Sequence, residues 1–357
     1  MKIKPMTKFA ILALSLVLVA CAGGGSEEAG CPAIDGREIN VVATTPMIGE
    51  FVSQVGGENI NLTVLMPPEA NPHTYEPAPQ DAGTIAEADL VFYTGLLYEP
   101  AALVKLLENS ACSTDILSEV GESVFPIEFK EGGHDDHDDH DDEEGHDDHD
   151  DEEGHDDEEG HDDEEVHDDE EGHDDHEGHN HGAYDPHFWF DPSRVAYAAE
   201  YIESRLIQFD PENESSYKSS ADSFVSELND LTKQVSELIS TVPSQNRKLI
   251  TTHESLGYLE AKFGLEVLST IIPSLNSANE ISPSDLAGVI DVIEDNNVKV
   301  IFIESEAPSV YSETIVAETG IKPVTGLYVE TLKPGQSYSE FLISNVKLIT
   351  ENLQDTD

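Results

Sequence analysis

Basic residues are scarce in this chain of 357 residues: 17 Lys and Arg stand against 75 Asp and Glu, a formal net charge of −58 at pH 7. A chain this negative repels phosphate backbones and anionic lipid and attracts cations, which excludes nucleic acid as a partner. Cysteine is nearly absent too, with Cys21, Cys31 and Cys112 in all. No apolar run is long enough to span a bilayer: the longest near the N-terminus, Phe9 to Ala20, is about a dozen residues, where a membrane helix needs about 20. Several catalytic signatures are missing as well. His253-Glu254-Ser255-Leu256-Gly257 starts like H-E-x-x-H but has Gly257 where the second histidine belongs, and neither a Ser-His-Asp order nor a Gly-rich phosphate loop is found. A zinc hydrolase loses its best motif, and the chain reads as a non-enzyme.

Lysines at 2, 4 and 8 precede that short apolar run, the pattern of a secretory signal over residues 1–20. The run closes on Leu18-Val19-Ala20-Cys21, which resembles a bacterial lipobox, so Cys21 is the expected lipidated first residue of an exported protein anchored to the cell membrane and facing the periplasm or exterior. Residues 21–36, with Gly-Gly-Gly-Ser-Glu-Glu, form the expected flexible tether. Cys31 and Cys112 then remain in an oxidising compartment, where they either pair or stay as two buried thiols.

Acid and histidine are what the chain has in excess. Residues 131–181 hold 30 acids and no base, leaving −28 on the rest. Twelve of the fifteen histidines fall here: His134, His137, His140, His146, His149, His155, His161, His167, His173, His176, His179 and His181. The run H-D-D-(E-E-G), mostly every six residues, has almost no apolar residues and cannot form a core, so 131–182 is expected to be disordered without metal. The bland reading is an acidic insertion that only solubilises.

Elsewhere short β-rich runs alternate with amphipathic ones, the pattern of an α/β fold with mainly parallel sheets. Strands are expected at 39–45, 61–66, 89–95, 248–253, 266–270, 298–304 and 323–330, and helices at MIGEFVSQVGG, PQDAGTIAEA, SPSDLAGVIDVIEDN and YSEFLISNVKLITENL. Asp191 and Pro192 mark the start of a further helix as cap and first residue. In 211–242, Tyr217, Ala221, Phe224, Leu228, Leu231, Val235 and Leu238 recur at spacings of four and three, one stripe of a single long helix. The layout is an α/β lobe over 37–210, a linking helix over 211–242 and a second α/β lobe over 243–357, each lobe large enough for its own core.

Three histidines lie outside the repeat: His73 in PPEANPHTYEP, His187 in DPHFWFDP and His253 at the end of KLITTH. Each sits in a loop or at a strand end, where open α/β sheets gather ligands. With one carboxylate they would make a four-coordinate site for a cation such as Zn²⁺. Imidazole must be neutral to ligate, so affinity is expected to fall below about pH 6.5.

EANPHTYEPAPQD, DLVFYTGLLYEPAALVKLL, DPHFWFDPSRV, TTHESLGYLEAKFGLEV, EISPSDLAGVIDVIEDNNVKVIFIES, ETGIKPVTGLYVETL and SYSEFLISNVKLITENL together resemble, in order, the signatures of zinc and manganese solute-binding proteins of ABC importers, the ZnuA-like or TroA-like group. The resemblance covers roughly 37–355 apart from the repeat, and implies two α/β lobes joined by a rigid backbone helix with metal between them. By motif it makes His73, His187 and His253 the ligands and Glu330 the fourth, although some zinc-binding relatives use three histidines and a water. Manganese-selective relatives place a carboxylate where His253 stands, so the resemblance implies Zn²⁺ ahead of Mn²⁺. It also implies an ABC permease and its ATPase as partners of a monomeric receptor, and matches the repeat to a His-rich loop that collects zinc. A buffer or adhesin with the same fold and no transporter is the alternative.

Overall fold

The computed structural model describes residues 31, 34, 36–68, 70–129, 184–272, 282–306 and 310–354. The signal, Cys21, the tether up to Gly30 and all twelve repeat histidines lie outside the described residues.

The first half is a four-stranded parallel sheet in the order β2-β1-β3-β4, from β1 (Ile39–Ala43), β2 (Ile60–Val64), β3 (Leu90–Tyr93) and β4 (Leu117–Glu119). Arg37 fixes the entry to β1 through a two-pronged pair with Asp89, both bonds 2.6 Å. Between the strands run α1 (Pro46–Gly56), α2 (Pro79–Ala86) and α3 (Ala101–Ser110). Thr45 caps α1 by accepting from the Ile48 N–H, with Pro46 in the first turn, where its missing donor costs nothing. A disulfide joins Cys31 to Cys112, so the chain ahead of β1 is tied to the end of α3.

α4 (Pro192–Phe209) starts as its sequence predicts, with the Asp191 carboxylate accepting from the Ser193 N–H. α5 (Glu214–Ser240) follows, 27 residues and about 40 Å long. Its buried stripe is Tyr217, Ala221, Phe224, Leu228, Leu231, Val235 and Ile239. The expected last member, Leu238, is only half-buried. At about 100° per residue Ile239 stays closer to the line set by Tyr217 than Leu238 does.

The second half repeats the first half's order. β5 (Lys248–Thr251) pairs in parallel with β6 (Glu266–Thr270), and β7 (Val300–Glu304) with β8 (Lys322–Leu327). β5 also lies against β7, which gives the spatial sequence β6-β5-β7-β8. α6 (Gly257–Phe263), α7 (Pro283–Asp295), α8 (Val310–Thr319) and α9 (Tyr338–Gln354) complete it. β4, α3, α6 and α8 are short or weakly patterned and were not expected from periodicity; β8 ends at Leu327, three residues before its expected end, so Glu330 stands beyond the strand.

Each sheet has a small outer cluster of its own, around Val91 and Leu103 in one half and Ile250 and Ile301 in the other. The largest cluster is shared: it runs from Ile39 through the α5 stripe to Leu353. The helix α5 packs on α1 and α4 from the first half and on α9 from the second, so its apolar stripe is the common floor of both. No helix among the described residues is long and apolar enough to cross a membrane.

Candidate metal centre

The strand order turns back beside the first strand between β1 and β3 in the four-stranded sheet, and between β5 and β7 where the two strand pairs of the second half lie side by side. Crevices at the carboxyl ends of strands at such reversals are where open α/β sheets bind ligands. His73 follows β2 on a 3-10 turn, Pro72–Thr74, in which the His73 N–H donates to the Asn71 side-chain oxygen at 2.9 Å. His253 stands two residues after β5, and Glu330 three after β8. His187 begins the 3-10 turn Phe188–Phe190, where Phe188, Trp189 and Phe190 are fully buried and hold the backbone in place.

These four side chains meet. One ligand atom from each lies within 4.8 Å of the others. The Nε2 atoms of His73, His187 and His253 are 3.1, 3.4 and 2.8 Å from the same oxygen, Glu330 Oε1. His187, His253 and Glu330 are buried. His187 Nε2 and His253 Nε2 are buried with no hydrogen bond of good geometry, so both nitrogens face the shared space.

The far sides of the rings differ. His187 Nδ1 donates to Asp185 Oδ1 at 2.7 Å, and the His187 backbone N–H donates to the same oxygen at 2.8 Å. His253 Nδ1 bonds Glu304 Oε2, and its N–H reaches Glu304 Oε1 at 3.2 Å. His73 Nδ1 is buried without a partner. Carboxylates behind two rings leave Nε2 as the metal-facing nitrogen and make it a stronger donor. Glu330 is held from its other side: the Tyr98 hydroxyl donates to Glu330 Oε2 at 2.8 Å. The Val329 and Glu330 N–H groups donate to Glu306 Oε1 at 3.2 and 3.4 Å. Trp189 Nε1 donates to the Val329 carbonyl at 2.8 Å.

The charges are mutually dependent. Burial alone would lower the imidazole pKa values, but Glu330 and Asp185 raise His187 to about 9, and Glu304 with Glu330 raises His253 to about 10. Burial would raise Glu330, and His73 and His187 override it, holding that carboxyl well below its usual range. Both rings are thus raised above the ordinary imidazole value of about 6.5, so protons compete for these nitrogens at higher pH than an isolated imidazole would give.

Sequence reasoning missed Asp185, Glu304, Glu306, Tyr98 and Trp189. Asp185 stands two residues before His187, and Glu304 is an acid closing an otherwise apolar strand; both were visible signals. Tyr98 and Trp189 lie inside motifs quoted above, LLYEP and DPHFWFDP, but their residue types alone gave them no role at a metal.

Residues 41–352 match the family model described as "Zinc-uptake complex component A periplasmic". The chain belongs to this family. Members of the zinc-uptake component A family are solute-binding proteins and not enzymes. The chain is 26% identical over 355 residues to the high-affinity zinc uptake system protein ZnuA of Bacillus subtilis, covering 97% of this chain and 96% of that one. It is 25% identical over 360 residues to the manganese ABC transporter substrate-binding lipoprotein PsaA of Streptococcus anginosus, covering 98% and 99%. Among solved structures, the periplasmic zinc-binding protein TroA of Treponema pallidum shares the fold, with a TM-score of 0.69 at 20% identity over 88% of this chain and 99% of that one.

Proposed function

We propose that this protein is an extracytoplasmic receptor that binds one Zn²⁺ through His73, His187, His253 and Glu330 and delivers it to the permease and ATPase of an ABC importer. The observation that carries the reading is the convergence of three imidazole nitrogens on one carboxylate oxygen within a buried pocket. A cation in the middle of that cluster would replace protons on the rings and keep the carboxylate charged. Three nitrogens and one oxygen suit Zn²⁺, about 2.0 to 2.1 Å per nitrogen in a tetrahedral site; Mn²⁺ favours more oxygen and higher coordination. The relatives' names divide between zinc and manganese, which makes manganese the second reading.

Lipid on Cys21 would hold the receptor at the membrane, in keeping with the lipoprotein names of relatives. The twelve histidines between 134 and 181 would collect zinc at low affinity and high local density for the cleft. The segment carrying them joins the described fold beside an antiparallel bridge between Glu128 and Tyr184, three residues before His187.

The test is a competitive zinc titration of the chain lacking 132–181, beside the intact chain with His73, His187 and His253 all changed to alanine. One tight zinc in the first and only weak sites in the second is the expected result. Tight binding that disappears with 132–181 refutes the cleft as receptor site. A parallel titration with Mn²⁺, followed by its electron paramagnetic resonance signal, is expected to show weaker binding; tighter binding of Mn²⁺ than Zn²⁺ would replace the zinc reading with the manganese one. Zinc uptake that depends on this protein yet persists without an ABC permease would favour the buffer or adhesin.

A further inference from the structure

β7 ends on Glu304, followed by Ser305 and Glu306. Glu304 is the last residue of the strand and Glu306 stands in the turn that follows it. They are used differently. Glu304 takes up His253 from behind, accepting from its ring Nδ1 and from its backbone N–H. It also accepts from Ser255 Oγ at 3.4 Å, and its own N–H donates to Thr252 Oγ1 at 3.0 Å, which locks strand end to strand end across β5 and β7. Glu306 takes up the other residue from this half of the fold, accepting through one oxygen from the N–H groups of Val329 and Glu330.

The geometry points to Glu304 and Glu306 as a pair of positioning residues through which the end of β7 aims both second-half ligands, His253 and Glu330, at the metal. This rests on the ligand set proposed above. The division of labour follows from the atoms. Glu304 acts on a ring and fixes its tautomer, so its charge matters to the donor strength of His253 Nε2. Glu306 acts on two backbone N–H groups, so only an acceptor oxygen is needed there. The first-half ligands use other supports: Asp185 for His187, and the Asn71 turn for His73. Damage at β7 therefore leaves the Asp185 and Asn71 supports in place, while Glu330 keeps the Tyr98 hydroxyl on its Oε2.

The two roles predict different chemistry on substitution in the intact chain, read by zinc competition against a chelator tight enough to silence weak sites. Glu304→Gln keeps an acceptor and loses the charge: a weakening of about tenfold is expected, with Glu304→Ala nearer a hundredfold. Glu306→Gln is expected to stay within about threefold of the parent, because its amide oxygen still accepts, whereas Glu306→Leu loses about tenfold. The absorption bands of the Co²⁺-loaded protein supply a readout that general destabilisation would not move: they shift in Glu304→Gln and not in Glu306→Gln. If either larger substitution prevents folding, the two near-isosteric glutamine variants still decide the matter. Parent affinity and parent Co²⁺ bands in Glu304→Gln overturn the role of Glu304. Equal losses in Glu306→Gln and Glu306→Leu overturn the acceptor role of Glu306. His253→Ala separates this inference from the reading beneath it: tight zinc retained in His253→Ala means the ligand set is wrong, whereas tight zinc lost there but kept in Glu304→Ala means only the positioning pair is wrong.

Discussion

Lowering the pH from 8 to 7 should weaken zinc binding about a hundredfold, far more than imidazole chemistry ordinarily gives. In the metal-free protein His187 titrates near 9 and His253 near 10, so both rings are protonated at either pH. Both must be neutral to donate a lone pair, and each zinc bound therefore expels two protons. Binding coupled to two protons changes by about two powers of ten per pH unit, roughly 2.7 kcal/mol. Three imidazoles of ordinary pKa, about 6.5, would weaken binding only about twofold over the same interval, because few are protonated at pH 7. The two accounts thus differ about fiftyfold. Calorimetric titration in two buffers of different ionisation enthalpy counts the protons directly, and chelator competition at both pH values gives the affinity ratio. Fewer than one proton released per zinc at pH 7, with a ratio near two, would refute the reasoning and mean that Glu330 does not hold the rings charged.

The same shifts bear on the stability of the metal-free protein. The folded state holds protons on His187 and His253 that the unfolded chain, with imidazoles near 6.5, gives up. The stabilisation is complete below about pH 6.5 and is lost as pH rises through about 9 to 10, so the apo melting temperature should fall from pH 7 to pH 10; a flat or rising trend would contradict the assignment. Asp185→Asn should weaken zinc about tenfold or more, because the amide cannot support the His187 ring as the carboxylate does, and chelator competition reads it. Leu228→Ala, in the middle of the buried α5 stripe, should cost about 2 to 5 kcal/mol in denaturant unfolding and unfold both halves in one transition, since their core is shared; separate transitions would refute a common floor. Reducing the Cys31–Cys112 bond, which encloses a separation of 81 residues, should cost about 4 kcal/mol by the chain-entropy model while leaving the metal site intact.

Much of the fold was legible because it rests on local patterns. Asp191 and Pro192 begin α4 through capping that sequence alone expresses, and the α5 stripe is a period of 3.6 written over 27 residues. Where the pattern is short the reading thinned: β4 is three residues and α6 seven, too few to show a period. The three ligand histidines stood out because the chain has no others outside the repeat. Glu330 did not stand out, since it is one acid among 75, and only the motif around it singled it out. Its partners were hidden for a different reason. Tyr98 reaches Glu330 across 232 positions and Glu304 meets His253 across 51, contacts that exist only once strands distant in sequence lie side by side.

The bridge between Glu128 and Tyr184 has a bearing on inheritance. It fastens both ends of the intervening stretch at one place on the first half, so nothing in the described fold depends on how many residues lie between. For a chain joined at fixed ends, closure costs only about 0.6 kcal/mol more for each doubling of length. The cleft has no such freedom, because its four donors are set by elements on both sides of α5. If the repeat collects zinc as proposed above, selection could tune that collection separately from the geometry of the cleft.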